Sequence, residues 1–290
     1  CTLLILYQMQ IFNQKEALIQ FLKQEKTENK TLGLVPTMGA LHKGHLSLVE
    51  KALINNDVVV VSIFVNPTQF DNKTDLEKYP KTFDRDLETL KLLNENIIIF
   101  APSAEDIYDN NVTSETFDFD GLEHQMEGKY RSGHFDGVGT IVRKLFTIVQ
   151  PDNAYFGEKD FQQLQIIRKM AAKNQLPVNI VGCPISREEN GLAMSSRNER
   201  LPQDIRKEAS FIYKTLLQAK DKFGTESAID TVNWIEEQFS KHSDFSLEYP
   251  EIADEKTLKP VKTKKENKRY RLFVAVYAND IRLIDNVALN

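Results

Sequence analysis

The chain has 290 residues, 41% of them hydrophobic and 27% charged, the balance of a globular protein large enough for one big domain or two modest ones. A formal net charge of −5 argues against a general nucleic-acid or anionic-membrane surface, because binding phosphate backbones and anionic headgroups needs a net basic face. The cysteines are Cys1 and Cys183, too few for a disulfide framework or a thiolate metal cage, so a reducing, cytoplasmic setting is expected.

The opening stretch CTLLILYQ is apolar, but it lacks a basic flank and is too short to span a bilayer. Met9 opens a run, MQIFNQKEALIQFLKQ, that reads as an ordinary protein start, so residues 1–8 are expected to be non-native upstream sequence. No other run is apolar enough to cross a membrane. Short β-rich runs then alternate with helical patterns. TLGLVPT (31–37) reads as a strand ending at Pro36, and HLSLVEKALINN as a helix with Leu46, Val49 and Leu53 on one face. DVVVVSIFV (57–65) is the β-branched run of a strand buried on both faces. FDRDLETLKLLNEN reads as a helix, IIIFAP as a strand, GVGTIVRKLFTIVQ as a helix and NAYFG as a short strand. DFQQLQIIRKMAAKN is again helical and PVNIVGCPI extended. This alternation predicts an α/β class, a Rossmann-like doubly wound parallel sheet over residues 1–185, with ligands at the carboxyl ends of its strands.

The character changes after Ile185. REENGLAMSSRNERL reads as a polar loop without periodicity, followed by helical patterns over Gln203–Phe223 and Ser227–Phe239. FSLEYPEIA, RYRLFVAVYA and IRLID read as strands, so residues 186–290 are expected to form a smaller α+β domain. KPVKTKKENKR between two of these strands reads as a solvated, charged hairpin loop.

Four stretches carry polar groups where such a sheet meets its ligand. In PTMGALHKGHLSL, the turn Met38, Gly39, Ala40, Leu41, His42, Lys43, Gly44 and His45 leads from a buried strand into a helix. Glycines allow close backbone approach, and a helix start offers N–H groups and partial positive charge, which suits phosphate. The spacing is not that of a Walker loop. His42 and His45 could donate to oxygens that gain charge as a P–O bond breaks, or could simply cap and pack the turn. In VNPTQF, the amides of Asn66 and Gln69 suit a substrate bearing hydroxyl and carboxylate groups, or an Asn-Pro turn. In YFGEKDFQQLQ, Gly157 ends a strand, Glu158 follows, Lys159 offers a cation to a triphosphate and Asp160 an acceptor to ribose. Lys159 and Asp160 could equally be a solvated pair at a helix start. In GLAMSSRN, Met194, Ser195, Ser196 and Arg197, with Ser186 upstream, form a candidate loop closing over phosphates. GKYRSGHFDGVG reads as a wall of the site with Arg131 on its pyrophosphate side, and His134 and Asp136 lack a third partner for a metal.

H-x-G-H at the first strand–helix turn resembles the signature of nucleotidylyltransferases and class I aminoacyl-tRNA synthetases. The fuller string PTMGALHKGHLSL resembles the pantoate–β-alanine ligase family in particular. That resemblance spans Met9 to Asn198 and weakens beyond, where LEYPEIADEKTL and RLIDN remain similar. It implies an enzyme condensing (R)-pantoate with β-alanine at the expense of Mg2+-bound ATP through a pantoyl adenylate, with AMP and pyrophosphate as products. It further implies a homodimer, and no residue is singled out as a metal ligand. By the same resemblance Gln69 and Gln163 hold pantoate and Tyr79 lies near the substrate mouth. His45, His42 and Lys159 become the catalytic candidates, and MSSR resembles the mobile synthetase loop. Lys43 stands where the family often has an acid and Phe161 where it often has tyrosine, neither at a proposed chemical group. Two alternatives stay open: another H-x-G-H nucleotidylyltransferase, which has no use for the paired glutamines, and a catalytically silent ATP-binding protein.

Overall fold

The computed structural model describes residues 9–26, 29–70 and 73–290; the expectation for residues 1–8 lies outside them. The described chain divides into two compact units. The first holds residues up to Phe119, Arg131–Gly157 and Ile166–Cys183; the second holds Asp120–Tyr130, Glu158–Gln165 and Pro184–Asn290.

The first unit is built on six strands: β1 (Ile11–Phe12), β2 (Leu32–Thr37), β3 (Val58–Ile63), β4 (Ile98–Phe100), β5 (Asn153–Gly157) and β6 (Asn179–Cys183). They form one parallel sheet in the order β1-β4-β3-β2-β5-β6, the doubly wound arrangement expected. The helices up to the end of this unit are α1 (Lys15–Lys26), α2 (Lys43–Asn55), α3 (Lys73–Glu77), α4 (Phe83–Leu93), α5 (Ala104–Tyr108), α6 (Met126–Tyr130), α7 (His134–Val149) and α8 (Phe161–Lys173). Of these α6 and the first turn of α8 group with the second unit. β1 has no counterpart in the sequence reading, since two residues carry no periodicity; only its pairing with Ile99 and Phe100 makes it a strand.

Val58–Val61 are all buried, as a strand sandwiched between helical layers requires. Val35, Val49, Val59, Leu90, Ile97 and Ile99 form the core around it. Pro36 lies within a central strand, where a missing N–H is normally costly. It is tolerated because the β2–β5 ladder covers only Gly33 and Leu34, so the proline falls past the end of that pairing. The strand order reverses at the same place, between β2 and β5, which is where an open α/β sheet receives its ligand.

The second unit adds α9 (Gln203–Glu208), α10 (Ser210–Thr225), α11 (Ala228–Ser240) and the antiparallel strands β7 (Phe245–Asp254), β8 (Tyr270–Ala278) and β9 (Ile281–Ala288). The single helical pattern expected over Gln203–Phe223 is broken at Ala209, which is wholly buried and ends α9. Leu216, Ile235, Phe245, Leu272, Val274 and Val276 lie at its core. The lysine-rich run connects β7 to β8, as a hairpin loop would. Residues 186–200 depart from the expected unstructured loop. Arg187 pairs with Ala193, Met194 N–H donates to Ser186 O, and a 3-10 turn runs over Ser196–Arg200. Leu192, Ala193 and Asn198 are buried, so the segment has anchors that its polar sequence hid. Among the described residues no helix is long and apolar enough to cross a membrane.

Candidate active site

β2 delivers the chain to the turn that leads into α2. Gly39 takes φ +78°, and Ala40 is left-handed at φ +49°, a conformation a residue with a side chain holds only when its surroundings enforce it. The enforcing group is Asp86 on α4, which is buried. Its two carboxylate oxygens accept the backbone N–H groups of Ala40 (2.9 Å) and Leu41 (2.8 Å), and the Thr82 hydroxyl donates to it as well. A side chain at Gly39 would press on Asp86 and Ile63 at 3.1 and 3.2 Å, so the position demands glycine twice over.

The two histidines stand at the start of α2. His42 Nδ1 accepts the Gly44 N–H at 3.1 Å, and His45 Nδ1 faces the His42 N–H at 3.4 Å. The imidazoles therefore cap the helix reciprocally, their ring centroids 4.0 Å apart. This corrects the reading of a turn with free N–H groups: those of Ala40, Leu41, His42 and Gly44 are engaged within the protein. The same bonds fix the ring chemistry. A nitrogen that accepts carries no proton, so each neutral imidazole keeps its proton on Nε2, as a donor. Lys43 is exposed, and Met38 and Gly44 are half-buried.

Beyond β3, Asn66 and Gln69 flank a short 3-10 turn at Pro67–Gln69. Asn66 was expected to offer its amide to a ligand, but that amide is engaged internally. Its Nδ2 donates to Gly137 O (3.1 Å) and Gln69 Oε1 (3.2 Å), while its Oδ1 accepts from the Tyr108 hydroxyl (2.6 Å). Gln69 Nε2 points to Met38 Sδ at 3.0 Å, which joins the second polar stretch to the first. From the other side, His134 Nδ1 lies 2.9 Å from Gln69 O and its Nε2 lies 3.1 Å from Arg131. A guanidinium can only donate, so His134 carries its proton on Nδ1 and gives it to the Gln69 carbonyl. Helix α7 reaches this turn only because residue 137 is glycine: an added Cβ would sit 2.4 Å from Thr68 O and 2.7 Å from Gln69 N. Asp136 belongs elsewhere, accepting the Phe117 N–H. Tyr79 is buried, edge-on to Phe70 at 5.9 Å.

In the second unit, Glu158, Lys159 and Asp160 form a 3-10 turn that leads into α8. Asn286 of β9 donates to the carbonyls of Glu158 (3.0 Å) and Lys159 (2.8 Å), pinning that turn, and Lys159 Nζ lies 3.4 Å from Asp160. Lys159, Ser195, Asn198 and Asp285 line a small cavity together with Leu192 and Ile212. The structure thus brings Lys159 together with Ser195 and Asn198, which lie far from it in the chain. Ser195 caps the turn holding Ser196 and Arg197 by accepting the Arg197 N–H. Asn198 ties this turn down through Glu188 Oε1 (2.8 Å) and Ala193 O (3.0 Å). Gln163 is half-buried on α8, while its neighbour Gln162 is buried and holds the 122–127 segment through Leu122 O, Gln125 O and Glu127 N.

Sequence reasoning missed the buried groups that shape these features. Asp285 is paired bidentately with Arg187 at 2.6 and 2.9 Å, and the same guanidinium stacks 3.5 Å above the Tyr213 ring. Burial pushes the Asp285 carboxyl up, with Arg187 opposing. Asp86 and Tyr108 were passed over as well. An acid in the first turn of FDRDLETL was the available signal for Asp86; nothing local marked Tyr108. Among the described residues no group of three or more His, Cys, Asp and Glu side chains could hold a metal ion.

Known proteins match this chain over nearly its whole length. The pantothenate synthetase of Christiangramia forsetii is 58% identical over 282 residues, spanning 97% of this chain and 100% of that protein. That of Flavobacterium psychrophilum is 58% identical over 281 residues, with the same coverage. The crystal structure of pantothenate synthetase from Thermus thermophilus superposes with a TM-score of 0.87 at 38% identity, covering 97% of this chain and 99% of that one. A pantoate–β-alanine ligase from Francisella tularensis, complexed with beta-gamma ATP and beta-alanine, gives 0.79 at 35% identity over 97% and 98%. The sequence profile described as pantoate–β-alanine ligase matches residues 10–288, and this chain belongs to that family.

Proposed function

We propose that this pantoate–β-alanine ligase works in two steps on one bound ATP. A carboxylate oxygen of (R)-pantoate attacks the α-phosphorus, the bond to the β-phosphate oxygen breaks, and pyrophosphate leaves with pantoyl adenylate remaining. The amine of β-alanine then attacks the acyl carbon; the C–O bond to AMP breaks, the ammonium proton is lost, and pantothenate is formed. No covalent enzyme intermediate is needed, and catalysis rests on positioning and charge stabilisation.

The observation that carries this reading is the reciprocal histidine cap. Because both Nδ1 atoms accept backbone N–H groups, both Nε2–H groups are preset as donors, with no reorientation needed as charge grows on phosphoryl oxygens. His45 and His42 are assigned that task. The turn from Met38 to Gly44 then contributes shape rather than the N–H groups of Ala40, Leu41, His42 and Gly44, which are occupied. Gln69 and Gln163 are assigned to pantoate, Asn66 to orienting Gln69, and Tyr79 to backing that turn. Gly157, at the end of β5, and in the second unit Glu158 to Asp160, Ser186 and Met194 to Arg197 are assigned to nucleotide, with Lys159 as the catalytic cation. Mg2+ enters with ATP as part of the substrate, held by phosphate oxygens and water. A homodimeric state and a cytoplasmic location belong to the same reading, to be checked by sedimentation and cell fractionation.

ATP–pyrophosphate exchange tests the first step. Exchange that requires pantoate and proceeds without β-alanine supports the adenylate; exchange independent of pantoate overturns it.

A further inference from the structure

Gln69 has a defined polarity, and the groups that set it stand behind it. A side-chain amide can present oxygen or nitrogen to a ligand, and only its hydrogen-bond partners decide which. Gly137 O can only accept, so the Asn66 amide must turn Nδ2 towards it; a flipped amide would oppose two oxygens at 3.1 Å. The second Nδ2 hydrogen then meets Gln69 Oε1 at 3.2 Å. Gln69 is left with its NH2 group directed at Met38 Sδ, a weak acceptor that a substrate oxygen displaces readily.

Asn66 holds this orientation because its oxygen is satisfied in a buried site. Asn66 is 1% exposed and Tyr108 is 2% exposed. The Tyr108 hydroxyl gives its single proton to Asn66 Oδ1 at 2.6 Å. Thr68 stands 3.1 Å from the same oxygen and 3.0 Å from the phenol, so its proton serves one or the other. Tyr108 is itself packed near Phe64, with Lys144 5.3 Å above its ring.

We propose that Tyr108 is a positioning residue for substrate selection: through Asn66 it holds Gln69 with its amide N–H groups presented, so that the site requires an acceptor oxygen of the acyl substrate there. The proposal rests on the reading of Gln69 as a pantoate-binding residue, and it names a residue that touches no substrate. Losing the phenol leaves Asn66 Oδ1 with Thr68 alone and frees the amide to shift.

The test is a double-mutant cycle with wild type, Tyr108→Phe, Gln69→Ala and the double variant, reading KM for pantoate, KM for ATP and kcat. Tyr108→Phe should raise the pantoate KM roughly tenfold, the size of one buried hydrogen bond, with the ATP KM unchanged. In the Gln69→Ala background the same change should add nothing. Thr68→Val, a milder change, should move the pantoate KM in the same direction, which keeps the test available should Tyr108→Phe fold poorly. Gln69→Glu should bind pantoate more weakly than Gln69→Ala, since it sets an acceptor where a donor is required. Additive effects in the cycle, equal rises in both KM values, or a Gln69→Glu variant that binds better than Gln69→Ala would overturn the proposal. A Gln69→Ala protein with normal pantoate KM overturns the assignment of Gln69 itself, and the proposal with it.

Discussion

The carboxylate of Asp86 accepts the backbone N–H of Ala40, 46 residues earlier in the chain, at 2.9 Å inside the protein. This bond, with its twin to Leu41, holds a left-handed alanine two residues before the first histidine. Replacing Asp86 by alanine orphans two buried donors, each costing about 1–3 kcal/mol. Asp86→Ala should therefore melt well below wild type and lose turnover together with stability. Asp86→Asn, which keeps one acceptor oxygen, should recover part of both. A Tm for Asp86→Ala equal to wild type in thermal denaturation would refute the clamp.

The histidine cap separates structure from chemistry within one residue. His45→Ala should lower kcat by on the order of 10²–10³, the usual loss for one transition-state donor, with little change in pantoate binding. Asparagine places an acceptor close to where Nδ1 stood but offers nothing at Nε2. His45→Asn should thus melt closer to wild type than His45→Ala while remaining as inactive. Recovery of turnover in His45→Asn would show that the cap, not the Nε2 donor, matters.

Gly137 faces the Gln69 turn with no room for a methyl group, since backbone atoms stand 2.4–2.7 Å from where it would lie. Backbone cannot swing aside as a side chain can, so Gly137→Ala should displace the turn. The pantoate KM should rise more than the ATP KM, and steady-state kinetics with each substrate varied in turn decides it.

Asn198 anchors the turn carrying Ser195 to Arg197 through Glu188 and the Ala193 carbonyl, and Glu188 is gripped in turn by Arg206 at 2.8 and 2.9 Å. Asn198→Ala should speed amide exchange in residues 194–198. Saturating Mg-ATP should slow that exchange in both proteins if the turn binds phosphate. Exchange unchanged by nucleotide would remove residues 194–197 from the nucleotide site.

Asp254 caps the turn after β7, accepting from the N–H groups of Lys256 (3.1 Å) and Thr257 (2.9 Å) and pairing with Lys268 at 3.2 Å. Burial raises its pKa, but the hydrogen bonds from Thr257 and the Lys268 charge outweigh that and hold the carboxyl below its ordinary 3.8. A depressed carboxyl stabilises the fold above its unfolded pKa and loses that contribution as pH falls through the folded value. Wild type should melt above Asp254→Asn at neutral pH, and the gap should close on acidifying below 3.8. A gap independent of pH would mean that the charge contributes nothing.

Much of this protein is written locally. Val58–Val61 announce a doubly covered strand, the strand–helix alternation announces the parallel sheet, and the two histidines with their glycines announce the helix-start site, because each depends on neighbours a few residues away. What the sequence by itself could not determine is how polar groups are spent. Asn66 and the N–H groups of Ala40 and Leu41 looked available for a ligand and are instead consumed by Tyr108, Gly137 and Asp86. Those partners lie 42 to 71 residues away, beyond any local pattern. The polar run 186–200 likewise reads as loose, yet Leu192, Ala193 and Asn198 are buried once the second unit closes on them. Even β1 exists only through its pairing with β4. Local pattern sets which elements form and what chemistry they carry. Only tertiary contact settles which donors and acceptors remain for substrate, because a buried polar group takes whatever partner the fold brings within about 3 Å.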